Sequence, residues 1–172
     1  MLFKLLKPNQ IHKSIYEINL NSLWEHGYHY IIIDVDNTIT EWNNYTINQK
    51  LRDWVSYAKK IGFELCLLSN SNQLKIKQFA SELGVISSPA GGKPFMRAFK
   101  SALDTLGANI NNTIVIGDQI FTDILGGNRI GLYTILVDPI NKKEFWTTKF
   151  NRLMEKIIAG RKPACKSHQQ PK

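Results

Sequence analysis

The sequence predicts an α/β protein: a three-layer α/β/α sandwich around a central parallel sheet. Short aliphatic runs alternate along the chain with segments whose apolar residues recur at helical spacing. The first run, Ile31 to Ile33, is apolar at every position, which is typical of a strand covered by helices on both faces. A length of 172 residues favours one domain with its own hydrophobic core.

Strands and helices are predicted in alternation. The predicted strands are residues 30–36, 63–68, 85–86, 113–116 and 133–137. Helices are predicted at residues 48–61, 73–83, 95–106 and 144–159, and a short helix within 121–130 is expected to be broken by Gly126 and Gly127. The first of these helices has an apolar stripe of Leu51, Trp54 and Val55 and a stop signal at Gly62.

The remaining chain is divided into a leader and a tail. Residues 1–29 are predicted to form a helical leader, because Ile11, Ile15 and Ile18 recur at helical spacing. Two interpretations of the leader stay open, packing on the domain or contact with an anionic membrane surface through its lysines and apolar side chains. Residues 30–159 are expected to form the domain, and the polar residues 160–172 a disordered tail.

The composition and the motifs that are missing indicate which binding partners to expect. A net charge of +8 favours anionic partners, although a merely soluble basic surface would give the same value. Cys66 and Cys165 are too far apart in sequence to indicate a zinc site or a disulfide framework. Dinucleotide and P-loop fingerprints are missing, as are helix-turn-helix and zinc-finger patterns, so no specific DNA binding is expected. No apolar run has the length of a membrane span. We expect a cytoplasmic protein, and peripheral contact with the inner face of the membrane stays open.

Polar residues follow the predicted strands where these end. Singly, such residues are typical of turns and helix caps. The carboxyl ends of parallel strands share one edge of a sheet, however, and ligands bind there. A phosphoryl-transfer site needs acids that bind a divalent cation, together with a hydroxyl and an ammonium that bind the phosphate. These groups are all expected at one edge of the sheet, from Asp34, Asp36, Ser69, Asn70, Lys93, Asp118 and Asp123.

Four segments at these strand ends resemble the motifs of the haloacid dehalogenase (HAD) superfamily. They read DVDNT at 34–38, LLSN at 67–70, GKP at 92–94 and GDQIFTD at 117–123. With GGNR at 126–129 and FNR at 150–152, the chain is more narrowly similar to small bacterial HAD phosphatases related to mitochondrial phosphatidylglycerophosphate phosphatase. This resemblance implies a HAD-like, Rossmannoid fold and an Mg²⁺-dependent phosphatase.

The resemblance also implies roles for individual residues. Asp34 would be the nucleophile that forms an aspartyl-phosphate, and Asp36 the general acid and base. Mg²⁺ would be held by the carboxylates of Asp34 and Asp118, the backbone carbonyl of Asp36 and water.

Further residues would support the phosphoryl group and the loops. Ser69, the backbone amide of Asn70 and Lys93 would bind the phosphoryl oxygens. Thr38 would steady the first motif. Asp123 would orient Lys93 or metal-bound water, with a plain helix cap as the alternative.

The sequence spacing between the motifs indicates how accessible the site is to a substrate. The stretches from Asp34 to Ser69 and from Ser69 to Lys93 are filled by predicted elements, so we expect no cap domain and an open site. An open site and a basic chain favour an anionic lipid headgroup as partner, and the family resemblance favours conversion of phosphatidylglycerophosphate to phosphatidylglycerol. A soluble phosphomonoester or a nucleic-acid end is the alternative substrate, and a non-catalytic binding module on the HAD scaffold is the alternative class. The sequence does not specify an oligomeric state.

Overall fold

The computed structural model describes residues 2–89 and 91–141 of the chain. Six strands follow one another as β1 (Gln10–His12), β2 (Tyr30–Ile33), β3 (Glu64–Leu67), β4 (Ile86–Ser87), β5 (Thr113–Gly117) and β6 (Tyr133–Val137). The α-helices are α1 (Leu2–Leu5), α2 (Leu20–Glu25), α3 (Gln49–Ile61), α4 (Gln73–Leu83), α5 (Met96–Leu106) and α6 (Leu125–Ile130). A 3₁₀ turn at Ile15–Glu17 and a π-helical turn at Ile120–Ile124 complete this part of the chain.

The strands form one sheet in the order β1-β6-β5-β2-β3-β4. Every neighbouring pair is parallel, and β2 lies between β5 and β3 with Ile31 opposite both Ile114 and Leu65. The strand that carries the first motif therefore lies inside the sheet, where both of its edges are hydrogen-bonded.

Successive side chains of β2 point to opposite faces of the sheet and pack in two separate core layers. Ile31 and Ile33 pack in the cluster that includes Leu51 and Phe79, on the side of α3 and α4. Ile32 points the other way and packs in the cluster around Phe99 of α5. Helices thus cover both faces of a parallel sheet, and the prediction of a three-layer α/β/α sandwich is confirmed.

The leader contains a strand that the sequence analysis did not predict. The helical spacing of Ile11, Ile15 and Ile18 predicted a helix, but Ile11 lies in β1, which pairs with β6 and extends the sheet. Ile15 and Leu20 are buried in the core instead of forming a separate helical face. The prediction was wrong here because pairing with β6, more than a hundred residues away in sequence, outweighs a weak local pattern.

The predicted break at Gly126 and Gly127 is also absent. Helix α6 runs through both glycines. A Cβ atom on Gly126 would lie 2.1 Å from the Phe99 ring, and one on Gly127 would lie 2.7 Å from Cγ2 of Thr134. These glycines allow α6 to pack closely against α5 and β6, and this close packing compensates for their poor helix propensity.

The described residues insert no domain at the carboxyl edge of the sheet. Only α3 lies between β2 and β3, and only α4 and β4 lie between β3 and Lys93, so no cap domain is inserted in these described stretches. No helix within residues 2–89 and 91–141 has the length and apolar character needed to cross a membrane. The predicted helix at 144–159 and the predicted tail at 160–172 lie outside the described residues.

Candidate active site

Asp34 occupies the position directly after β2, at the carboxyl edge of the sheet. Its backbone N–H donates to the carbonyl of Ile116 over 2.9 Å, which continues the pairing of β2 with β5. Its buried carboxylate forms an ion pair with Lys93, whose ammonium also pairs with Asp123 over 2.7 Å. The side chain is therefore held at the end of a rigid strand and faces a buried cation.

Lys93 owes its position to Asn70. The Asn70 side-chain oxygen accepts hydrogen bonds from the backbone N–H groups of Gly92 and Lys93, both at 2.8 Å. The Asn70 amide group donates to the Lys93 carbonyl over 3.0 Å. The Asn70 side chain thus fastens the Lys93 loop to the end of β3, and binding of a phosphoryl oxygen by its backbone amide stays a prediction.

Thr38 joins two of the acids. Its hydroxyl lies 3.2 Å from Oδ2 of Asp34 and 3.3 Å from Oδ1 of Asp118. Asp118 follows β5, the strand next to β2, so the two carboxylates meet across neighbouring strands. The turn that contains Thr38 is therefore tied to both strand ends.

Asp36 has a separate set of partners. Ser69 donates to its Oδ2 over 3.1 Å, and Ser71 donates to the same oxygen over 2.6 Å. The backbone N–H of Asn43 donates to Oδ1 over 3.2 Å. Ser71 and Asn43 were not among the predicted site residues, and only the alternating hydroxyl side chains of the SNS run at 69–71 indicated the first of them.

Asp123 lies against Gly117, the last residue of β5. A Cβ on Gly117 would come within 2.3 Å of the Asp123 carboxyl carbon, so only glycine leaves room for this side chain. The backbone N–H of Gln119 donates to Oδ2 of Asp123 over 3.2 Å, while Oδ1 accepts from Lys93. The carboxylate therefore both closes the turn after β5 and orients the ammonium.

Three buried carboxylates converge at this edge. Asp34, Asp118 and Asp123 each offer an oxygen, and these oxygens all lie within 4.8 Å of one another. Lys93 is the cation paired with two of them. Oxygen ligands crowded in this way, with excess negative charge, fit a hard divalent cation such as Mg²⁺. The Asp36 side chain lies with the serines, and ligation by its backbone carbonyl stays a prediction.

The charges perturb one another strongly. Burial, reinforced by the negative charges of Asp34 and Asp123, raises the pKa of Asp118 to about 8. Burial also raises the pKa of Asp34 to about 6, although Lys93 opposes the shift. Burial alone would lower the pKa of Lys93, but the carboxylates of Asp123 and Asp34 outweigh it and raise that pKa. The ammonium therefore stays charged, and the acid cluster favours a further cation.

Sequence comparison finds relatives that span most of the chain. The sequence model of a HAD-hydrolase-like family matches residues 90–143. The probable phosphatase YqeG of Bacillus subtilis (strain 168) is 36% identical over 158 residues, which cover 92% of each chain. Phosphatidylglycerophosphate phosphatase 1, chloroplastic/mitochondrial, of Arabidopsis thaliana is 28% identical over 152 residues, which cover 80% of this chain and 42% of the plant protein.

Comparison with solved structures supports the fold. An uncharacterized protein from Listeria monocytogenes serotype 4b superposes with a TM-score of 0.54 and 19% sequence identity, over 76% of this chain and 96% of that one. Because the sequence identity between the two chains is low, the superposition supports the fold alone. The family match at the Lys93 and Asp118 motifs, together with the near full-length similarity to YqeG, makes this chain a member of the HAD-like hydrolase family.

Proposed function

We propose that the protein is a phosphomonoester phosphatase that works through a phosphate group covalently bound to Asp34. The observation that carries the proposal is the contrast between two buried aspartates only two residues apart. Asp34 is held by Lys93 and Thr38, whereas Asp36 is held by Ser69 and Ser71. Two carboxyl groups kept in different surroundings suit two different chemical roles.

In the first step, a carboxylate oxygen of Asp34 attacks the phosphorus atom and the bond from phosphorus to the ester oxygen breaks. The leaving oxygen takes a proton from the carboxyl group of Asp36, so a neutral alcohol departs. The ammonium of Lys93 lies next to Asp34 and offsets negative charge on the phosphoryl oxygens.

In the second step, a water molecule attacks the phosphorus atom of the aspartyl-phosphate. Asp36, now ionised, takes the proton of this water, and the bond between phosphorus and Asp34 breaks to release inorganic phosphate. Ser69, Ser71 and the Asn43 N–H keep the Asp36 carboxyl group directed at one place through both steps. Asp36 thus returns to its protonated state, and Asp34 is free again.

A bound Mg²⁺ would neutralise charge between the acid cluster and the phosphate. Asp34 and Asp118 would hold it, with the backbone carbonyl of Asp36 as a further ligand. Asp123 lies within the same cluster but is engaged by Lys93, which suits a supporting role.

We further propose that the substrate is phosphatidylglycerophosphate and the product phosphatidylglycerol. No cap domain is inserted among the described residues between β2 and Lys93, which suits a phosphate carried on a large molecule. The name of the Arabidopsis relative supports this lipid, and the charge of +8 suits an anionic one. A soluble phosphomonoester or a phosphorylated nucleic-acid end would use the same chemistry at the same site.

Phosphate release tests the proposal. Protein in Mg²⁺ and in a chelator would be given phosphatidylglycerophosphate in vesicles, soluble phosphomonoesters and phosphorylated oligonucleotides. We expect Mg²⁺-dependent release from the vesicles, complete loss in Asp34→Asn, and unchanged release in Asp53→Asn, an exposed carboxylate on α3. Release from the soluble compounds alone would replace the lipid substrate. No release from any compound by the folded protein would favour the non-catalytic scaffold.

A further inference from the structure

Large apolar side chains surround the mouth of the candidate site. Ten large hydrophobic side chains are exposed among the described residues, and six of them lie on the loops and helix starts at the carboxyl edge of the sheet. Leu74 is 80% exposed and Phe95 is 69% exposed. We name these six the site rim; its members are Trp42, Leu74, Phe95, Met96, Phe121 and Ile140.

Two rim residues are attached to the loops that hold the phosphate-binding candidates. Leu74 follows Gln73, whose amide group donates to the Ser69 carbonyl over 3.1 Å. Phe95 lies two residues after Lys93, just before α5 begins. Both side chains therefore lie on the segments that bring Ser69 and Lys93 to the site.

Two more rim residues lie on the other side of the site. Phe121 is two residues before Asp123, in the π-helical turn after β5. Ile140 is joined to the first motif, because its backbone N–H donates to the carbonyl of Asn37 over 2.9 Å. The apolar side chains thus occur on all the loops that bring polar groups to this edge.

Exposed apolar groups around a polar site do not serve a small hydrophilic substrate. Contiguous exposed apolar surface is uncommon on soluble proteins and marks contact with a protein or a membrane. A lipid phosphate lies at the headgroup level of a bilayer, with hydrocarbon beneath it. A protein that hydrolyses it has to bring its site to that surface, where surrounding apolar side chains can enter the boundary with the acyl chains.

Charge at the same edge favours an anionic bilayer as the occupant. Lys75 and Arg97 are exposed in the first turns of α4 and α5, next to rim residues, and Glu41 is an exposed acid there. Lysines and arginines also outnumber acids nine to two in the sequence of residues 142–172, which adds to the net charge of +8. Basic groups beside apolar ones are what anionic membrane surfaces attract.

We propose that the site rim is the docking surface of this protein for an anionic bilayer, so that the open site faces the headgroups. Orientation of the site toward a lipid phosphate rests on the proposed function, whereas the docking itself does not. The leader then contributes to the core through Ile15 and Leu20, and the membrane contact is formed by the site loops.

The test compares two triple variants of the full chain. The rim variant combines Leu74→Ser, Phe95→Ser and Phe121→Ser. The remote variant combines Phe3→Ser, Ile86→Ser and Ile110→Ser, which removes exposed apolar side chains from other parts of the surface. All six side chains are exposed, so both variants are expected to fold, which circular dichroism and thermal unfolding would check.

Binding is measured by co-sedimentation with vesicles of phosphatidylcholine alone and of phosphatidylcholine with phosphatidylglycerol. Phosphatidylglycerol carries no phosphomonoester, so binding is read without turnover. We expect the wild type and the remote variant to bind the anionic vesicles, and the rim variant to bind at least about 10-fold more weakly. Equal binding by the two variants, loss in the remote variant only, or no binding by the wild type would overturn the proposal.

Two further measurements separate the possible failures. Wild-type protein that does not bind vesicles but hydrolyses a soluble phosphomonoester would overturn the docking surface and keep the proposed phosphatase chemistry. Vesicle binding that depends on the rim, in a protein that hydrolyses no phosphomonoester, would keep the docking surface and remove the proposed function. A wild-type dimer that becomes monomeric in the rim variant, with vesicle binding unchanged, would assign the rim to a second copy of the chain and overturn the proposal.

Discussion

Replacing Asp118 by asparagine is expected to stabilise the metal-free protein. Asp118 is buried beside Asp34 and Asp123, and these surroundings raise its pKa from 3.8 to about 8. Asparagine keeps an oxygen that can accept from Thr38 and removes the negative charge. The residue proposed as a metal ligand is thus one that the fold tolerates poorly when no cation is bound.

The size of this stabilisation follows from the difference between the pKa of Asp118 in the folded and in the unfolded chain. A raised carboxyl pKa costs nothing below about pH 4, where the folded and unfolded chains are both protonated, and the cost grows until about pH 8. One pKa unit corresponds to about 1.4 kcal/mol, which places the upper bound near about 6 kcal/mol. Because water and local relaxation reduce the cost of a buried charge, we expect about 2–4 kcal/mol at pH 8. For a domain of this size that is a rise in Tm of about 6–12 °C.

Urea and thermal unfolding in a chelator, at about pH 5 and about pH 8, would measure the difference. Added Mg²⁺ should stabilise the wild type more at the higher pH and should have little effect on Asp118→Asn. Asp104→Asn, an exposed substitution on α5, is the matched control. An Asp118→Asn protein that is less stable than the wild type, or more stable by the same amount at both pH values, would refute the reasoning.

Two other substitutions test the site. Lys93→Met should destabilise the protein by about 3–5 kcal/mol in urea unfolding, because Asp34 and Asp123 lose their buried cation; unchanged stability would contradict the ion-pair account. Ser71→Ala removes the donor at 2.6 Å from Asp36 and should lower kcat by about 10-fold with little change in KM. A change confined to KM would instead assign Ser71 to substrate binding.

The position of the site could be predicted from the sequence because strand ends are local features. The run Ile31 to Ile33 is apolar until Asp34 interrupts it, and β5 likewise ends just before Asp118. In a parallel sheet these ends fall at one edge, so residues that are 84 positions apart in sequence meet. The structure brings Asp34 and Asp118 together at this edge, as their strand-end positions predict. Lys93 and Asp123 join them from the segments that follow β4 and β5.

Partners that depend on side-chain direction could not be predicted. Asn70 was expected to offer its backbone amide to a phosphoryl group, and nothing in the sequence indicates that its side chain fastens the Lys93 loop. In the sequence Ser71 is a polar loop residue like its neighbours, and only the structure shows that its hydroxyl donates to Asp36. A hydrogen bond over 2.6–3.2 Å depends on rotamers and loop paths, which sequence spacing does not specify.

The sequence by itself determined the order of strands and helices from β2 to β6, the two-sided burial of β2 and the residues at the strand ends, because hydrophobic periodicity and chain breaks act within a few residues. Only the tertiary structure decided that Gln10–His12 joins β6, that α6 passes through Gly126 and Gly127, and that Asp36 and Asp34 have separate partners. Each of these depends on a contact between distant segments, where packing and pairing energies outweigh local preference.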